Sequence, residues 1–254
     1  MILAFQNRKK IQAFAQGCNA TWTDLAGITS NTQWPMIFSG ITTMAPIVQA
    51  QKYSLDYWYI DTGYIGNTKV KKYLRVCKNS IHANSPIISR PSDRLNRLQI
   101  DRTKIQRGSR IMLIPPDAKQ AAHFAIDSVD VWLQQTINLI TQVTDRPLII
   151  RQRPPSRTAR MTSDTLIQAL NQDIHAIVTL ISNSAVEAVL HDIPVISLGP
   201  SACVQVSPWG LDQIDNVPDI DTSLKEAWLR HLSYNQFTFD EMSDGTAWRI
   251  LNEG

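Results

Sequence analysis

Residues 174–203, IHAIVTLISNSAVEAVLHDIPVISLGPSAC, constrain the fold of this chain more than any other stretch. Ile174 to Ile181 is an apolar, β-branched run of the buried-strand type. Ser182-Asn183-Ser184 interrupts it with helix-capping residues, Ala185 to Leu190 has helical composition, and Pro194 to Leu198 begins another strand. The sequence therefore predicts a βαβ unit. A helix that opens directly after a strand turns its first N–H groups and positive dipole end toward the crevice, which suits a pyrophosphate. Ser182, Asn183 and Ser184 form the candidate phosphate turn, and Glu187, one turn into the helix, is placed to accept hydrogen bonds from a ribose. An ordinary buried βαβ unit with a capped helix and no ligand reads the same way.

The stretch before it repeats the alternation. Arg110 to Ile114 reads as a strand ended by Pro115-Pro116, and Ser128 to Val143 as a helix with Val131, Leu133, Ile137, Leu139 and Ile140 near helical spacing. Leu148 to Ile150 is the next strand and Thr162 to Leu170 a short helix. Strands and helices in this order predict a doubly wound parallel sheet. Arg151 and Arg153 leave the Leu148 to Ile150 strand directly, so their planar forks would meet a diphosphate at the sheet's carboxyl edge. Gly199 and Ser201 sit in the matching loop after the following strand. Beyond Thr222 the chain reads as helical to its end.

The first hundred residues give a strand at Pro35 to Gly40, a helix from Thr42 to about Gln51, and a strand at Tyr57 to Ile60 that ends on Asp61. Open α/β sheets place ligand-contacting residues at such strand ends. A glycine-containing loop follows, then a basic run with Lys71, Lys72, Arg75 and Lys78; the later basic group from Arg90 to Arg110 reads as a connector, partly helical from Ser92 to Ile100. The net charge of +3 conceals a polarity, with 16 Lys and Arg against 5 Asp and Glu in residues 1–110 and 9 against 17 in residues 111–254. A basic lobe suggests a polyanionic partner, or a basic surface balanced by the acidic lobe. Three scattered cysteines give neither a disulfide framework nor a zinc site. The start of the chain meets Arg8-Lys9-Lys10 at once and no run approaches a membrane span, so a soluble, unprocessed, cytoplasmic chain is expected.

Residues of about 110 to 250 resemble the C-terminal half of GT-B glycosyltransferases and of the UDP-GlcNAc 2-epimerase superfamily. The likeness is strongest to uncharacterised phage and capsule-type glycosyltransferases, which pair a segment like SNSAVEAVLHDIPVISLGPSAC with a tail like WLRHLSYNQFTFDEMSDGTAW, here Trp228 to Trp248. The resemblance implies two Rossmann-like lobes, the first small, with a C-terminal helix crossing back: a lobe at 1–109, a nucleotide-sugar lobe at 110–222 and a helical segment at 223–254. It also implies a nucleotide-sugar donor, a UDP-sugar foremost. The chain departs from the pattern in its short first lobe, which lacks a glycine-rich loop of its own.

Sugar transfer needs a base for the acceptor hydroxyl and cations or dipoles for the leaving phosphate. Asp61 is the candidate base and His82 the second; Tyr64, Lys71, Lys72 and Arg75 are the acceptor candidates. Asp61 equally suits a turn or helix cap. Asp219-Ile220-Asp221 lies in a late proline-containing loop, so no bound metal is expected. The absence of GKS/T, GxSxG and HExxH patterns removes ATPase, serine-hydrolase and zinc-protease readings. The basic first lobe favours a hydroxymethylated DNA base as acceptor, with a surface or capsular polysaccharide as the rival. A sugar-nucleotide epimerase and a non-enzymatic nucleic-acid-binding module stand as the other readings.

Overall fold

The computed structural model describes residues 1–5, 8–23, 34–40, 45–66, 72–83, 85–98, 100–152 and 165–252. The chain divides into two compact units, Met1–Ile100 with Leu229–Gly254, and Asp101–Trp228.

Unit 1 opens with β1 (Leu3–Ala4), α1 (Lys9–Gly17), β2 (Thr21–Trp22), β3 (Met36–Ser39), α2 (Ala45–Lys52), β4 (Tyr57–Thr62), β5 (Leu74–Lys78) and α3 (Asp93–Asn96). Strands β2, β1, β3 and β4 lie side by side in that order and run parallel, with β5 antiparallel to β4. The basic stretch after residue 71 is thus a strand, because Leu74, Val76 and Cys77 supply buried apolar positions that the charges between them obscured. The boundary between the units falls within residues 90–110, as the connector reading has it, but among the described residues the helix is limited to Asp93–Asn96, and Arg94 is buried.

Unit 2 contains β6 (Arg110–Ile114), α4 (Ala118–His123), α5 (Val129–Thr141), β7 (Leu148–Ile150), α6 (Leu166–Leu170), β8 (Ile174–Thr179), α7 (Ser184–Leu190) and β9 (Val195–Ser197). The sheet is wholly parallel in the order β7-β6-β8-β9. Alternate residues of three strands, Ile111 and Leu113, Ala176 and Val178, and Ile196, share one face and pack with Ile140, Ile214 and Val217. Buried strands of a covered parallel sheet read as continuous apolar runs, which is why this unit was legible. Ser128 accepts from the Val131 N–H at 3.3 Å and starts α5 where the capping residue indicates.

The helix α8 (Thr222–Ser233) carries the chain across the boundary at Trp228, after which the tail belongs to unit 1. The expectation of helix to the chain end is corrected by β10 (Gln236–Phe237), which pairs antiparallel with β5. Two short helices follow, α9 (Phe239–Ser243) and α10 (Thr246–Asn252). Phe237, Met242 and Ala247 enter the core formed by Ile11, Phe14, Ile37, Trp58 and Ile60. A Cβ on Gly17 would lie 2.0 Å from the Met242 carbonyl oxygen, so only glycine lets α1 and the tail approach so closely. Arg94 fastens the tail, donating to both Glu241 carboxylate oxygens at 2.6 and 3.0 Å and to the Ser233 and Gln236 carbonyls at 3.0 and 2.9 Å.

These units redistribute the charge. Unit 1 holds 14 Lys and Arg against 8 Asp and Glu, and unit 2 holds 11 against 14, so the polarity is milder than the linear split. Arg102 and Arg107 fold into unit 2, where they pair with Glu226 at 2.7 Å and Asp219 at 3.2 Å.

Candidate functional site

Both sheets reverse their strand order beside their first strand, between β1 and β3 and between β6 and β8. The carboxyl edge at such a reversal is where open α/β sheets hold ligands.

In unit 2 that edge carries the loop after β6, the turn after β8 and the residue after β7. Arg151 follows β7 directly, its N–H donating to the Leu113 carbonyl at 2.9 Å. Glu187 lies in the first turn of α7, half-buried. Burial raises its proton affinity, and the positive potentials of His191 and Arg151 offset this only in part, so the carboxyl titrates above its ordinary range. Arg151 and Glu187 are therefore brought within electrostatic reach. Arg153 lies outside the described residues.

The Ser182–Ser184 turn is closed on itself. Ser182 Oγ accepts from the Ser184 N–H at 3.1 Å, the Ser182 carbonyl from Ala185 at 3.0 Å, and the Asn183 carbonyl from Val186 at 3.1 Å. Donors expected to face a phosphate are thus engaged locally, as short-range bonds tighten a first helical turn. Gly199 packs over the neighbouring loop, where a Cβ would meet the Leu180 carbonyl at 3.1 Å. Ser201 is buried, and its hydroxyl accepts from the Cys203 N–H at 3.1 Å. Asp117 was not foreseen: it caps α4 with a reciprocal Gln120 box at the switch-point edge.

In unit 1, Asp61 falls inside β4 opposite Arg75, one residue short of the strand end. Its carboxylate is surrounded by donors. Thr62 N–H and Lys10 Nζ approach Oδ1 at 2.8 and 3.4 Å, while Tyr59 Oη and Arg75 Nη2 approach Oδ2 at 3.0 and 3.6 Å. Burial raises its proton affinity, but Arg75 and Lys10, together with the hydrogen bonds from Thr62 and Tyr59, outweigh that and hold the carboxyl below its ordinary value. Lys10 was missed as a partner because its place beside Asp61 depends on α1 packing across β4, far along the chain.

Arg75 is buried and donates to the Ile81 and Thr62 carbonyls at 3.1 and 2.8 Å, with its guanidinium over the Tyr59 and Tyr64 rings. Tyr64 is buried as well. Its hydroxyl accepts from the Ala83 N–H at 2.6 Å, and its ring centroid lies 6.0 Å from that of buried His82. Gln236 of the tail holds the same loop, accepting from the Tyr64 and Ile65 N–H groups at 2.8 and 3.1 Å. The structure thus gathers Asp61, Tyr64, Arg75 and His82 into one cluster, of which Asp61 is the most open, with 31% of its side chain exposed. Lys72 is exposed apart from it over the Tyr73 ring, and Lys71 lies outside the described residues.

The late aspartates have local tasks. Asp215 accepts from Thr144 and Arg146 at 2.6 and 2.9 Å, and Asp221 from the Leu224 N–H at 2.6 Å. Among the described residues no cluster of three or more His, Cys, Asp or Glu is arranged to hold a metal ion, and no helix is long and apolar enough to cross a membrane.

No protein-family model and no curated protein sequence matches the chain. Solved structures do. The β-Kdo 2,4 transferase of Thermosulfurimonas dismutans KpsC aligns over 91% of this chain and 90% of its own, at 13% identity and a TM-score of 0.51. The β-Kdo 2,7 transferase of the same KpsC aligns over 99% of both chains, at 11% identity and a TM-score of 0.52. At these identities the likeness concerns the fold alone, over 91% and 99% of this chain.

Proposed function

We propose that the chain is a glycosyltransferase that moves a sugar from a nucleotide-sugar donor to a saccharide acceptor of a surface or capsular polysaccharide. The observation that carries this reading is the end-to-end structural likeness to two Kdo transferases. Unit 2 is proposed to hold the donor, with Arg151 against its phosphate and Glu187 against its ribose. Asp61 of unit 1 is the proposed base. It is ionised across the neutral range, and its two longest contacts, to Lys10 and Arg75, are the ones an acceptor hydroxyl would displace. His82 is the alternative base, although its burial argues for a supporting role.

A DNA acceptor draws no support from the folded charge distribution. Arg75 and Arg94 are buried and engaged, Lys78 pairs with Asp56 at 2.9 Å, and Arg102 and Arg107 belong to the other unit. The test is a calorimetric screen of nucleoside mono- and diphosphates, followed by incubation of each matching sugar nucleotide with oligosaccharide or DNA acceptors and mass spectrometry of the products. A glycosylated oligosaccharide is expected. Modified DNA would restore the phage-type reading, turnover without acceptor would indicate an epimerase, and no nucleotide binding at all would overturn the assignment.

A further inference from the structure

A groove of about 710 Å³ lies along α1 and β2 of unit 1, its described lining being Gln12, Ala15, Gln16, Asn19, Ala20 and Trp22. That volume lies within the range of about 300 to 1,000 Å³ typical of small-molecule sites. Among the described residues its lining holds three carboxamides, one indole and no charged side chain. Gln12 and Gln16 are one helical turn apart and stand on the same face of α1. Asn19 ends that helix with φ of 52°, a left-handed conformation that asparagine tolerates, while the Ala20 N–H donates back to the Ala15 carbonyl at 2.8 Å. Trp22 lies on β2, in register with Ala4 of β1. Registered residues of parallel strands share a face, and Ala4 packs in the cluster with Ile11, Phe14 and Ala15, so the indole projects on the α1 side. It is 48% exposed, so part of the ring is open to a ligand from solvent.

We infer that this groove is a binding subsite for a neutral stretch of the saccharide acceptor. This deepens the glycosyltransferase reading and rests on it. A carboxamide carries both a donor and an acceptor, so it can bridge adjacent hydroxyl groups, whereas an indole offers an apolar face to the C–H side of a sugar ring. The described lining offers carboxamides in place of the Lys and Arg that hold phosphate-bearing ligands. The groove is also preorganised: α1 presses Ile11, Phe14 and Ala15 onto the sheet, and Gly17 is locked against the tail. It spans the carboxyl-terminal half of α1, away from the strand ends where Asp61 lies. A ligand seated there belongs to the remote part of an extended chain, not to the reacting sugar.

The test titrates the full chain with malto-, cello- and chito-oligosaccharides of increasing length, and with free nucleosides, read by saturation-transfer NMR. Trp22→Ala is expected to weaken oligosaccharide binding about tenfold or more, as truncating an aromatic anchor does. Gln16→Ala is expected to weaken it less, and nucleotide affinity measured in parallel should not change in either variant. With acceptors, the loss should appear in KM for long chains and vanish for the shortest. Equal binding by wild type and Trp22→Ala, binding of nucleosides instead of oligosaccharides, or no oligosaccharide binding by the wild type would each overturn the subsite. Loss of nucleotide binding and transfer in the wild type would instead sink the glycosyltransferase reading, so the two failures are separable.

Discussion

The two units lay down their first four strands in the same spatial order, second, first, third, fourth, yet hold opposite kinds of carboxylate near the carboxyl edge. Asp61 of unit 1 is ringed by Lys10, Arg75, Tyr59 and the Thr62 N–H, and titrates low. Glu187 of unit 2 is dominated by burial and titrates high. Environments that push two carboxyl groups apart suit them to different roles. The charged form is favoured at Asp61 by the cations around it and disfavoured at Glu187 by burial. The entries to the sheets differ too. Helix α4 begins with the Asp117 capping box, whereas α1 begins at Arg8 with no side-chain cap, no acidic residue in its first turn, and Lys9 and Lys10 against the helix dipole. Unit 2 closes within one stretch of chain, but unit 1 needs the tail to complete its sheet and core.

The largest expected effect tests that last difference. Removing the buried Arg94 guanidinium takes a donor from the half-buried Glu241 carboxylate and from two carbonyls, so Arg94→Ala should cost up to about 3 to 5 kcal/mol, the cost of breaking a fully buried pair. Chemical denaturation followed by hydrogen exchange should locate the loss in unit 1. An equal loss in unit 2 would end the distinction between tail-dependent and self-contained units.

Acid should separate the units next. Burial first, then Arg90, pushes the His231 ring down to about 4 from its ordinary 6.5, and its Nδ1 accepts from the Ile88 N–H at 3.2 Å. The folded state binds the proton less readily than the unfolded chain, so this contribution is full above pH 6.5 and is lost as pH falls toward 4. The change should approach about 3 kcal/mol, from the 2.5-unit difference in pKa. Urea titrations across that window, compared with His231→Gln, check it; a profile unaltered by the substitution would remove His231 as the cause.

For unit 2 the expected effects are on ligand. Arg151→Ala should weaken the cognate nucleotide by about 1.5 to 3 kcal/mol, the worth of a hydrogen bond to a charged group, and Glu187→Gln should weaken a nucleotide more than inorganic phosphate. Calorimetry measures both, and wild-type affinities would move the donor site elsewhere.

The smallest effects compare the helix starts. Asp117→Ala should destabilise unit 2 by about 0.5 to 2 kcal/mol, whereas Lys9→Glu should stabilise unit 1 by about 0.3 to 1 kcal/mol at low salt. A destabilising Lys9→Glu would mean that an interaction of the lysine outweighs its unfavourable place on the dipole.

Unit 2 was readable because its information is local. The strands at Arg110–Ile114, Leu148–Ile150 and Ile174–Thr179 are contiguous apolar runs, and the breaks between them carry cap residues. Unit 1 was readable at Met36–Ser39, at α2 and at Tyr57–Thr62, but not beyond them. Strands β1, β2 and β10 are two residues long, too short for any periodicity to mark them, and they form because neighbours distant in sequence complete their hydrogen bonds. The same limit governs the sites. Sequence alone offered Asp61 and Arg151 as candidates from strand ends, and Glu187 from a helix that opens directly after a strand, because these are local patterns. Burial of Arg75, Tyr64 and Ser201, the cations around Asp61, and the placement of Trp22 beside Gln12 and Gln16 were decided by packing across the sheet. Desolvation and charge pairing depend on distance in space, which separation along the chain does not encode.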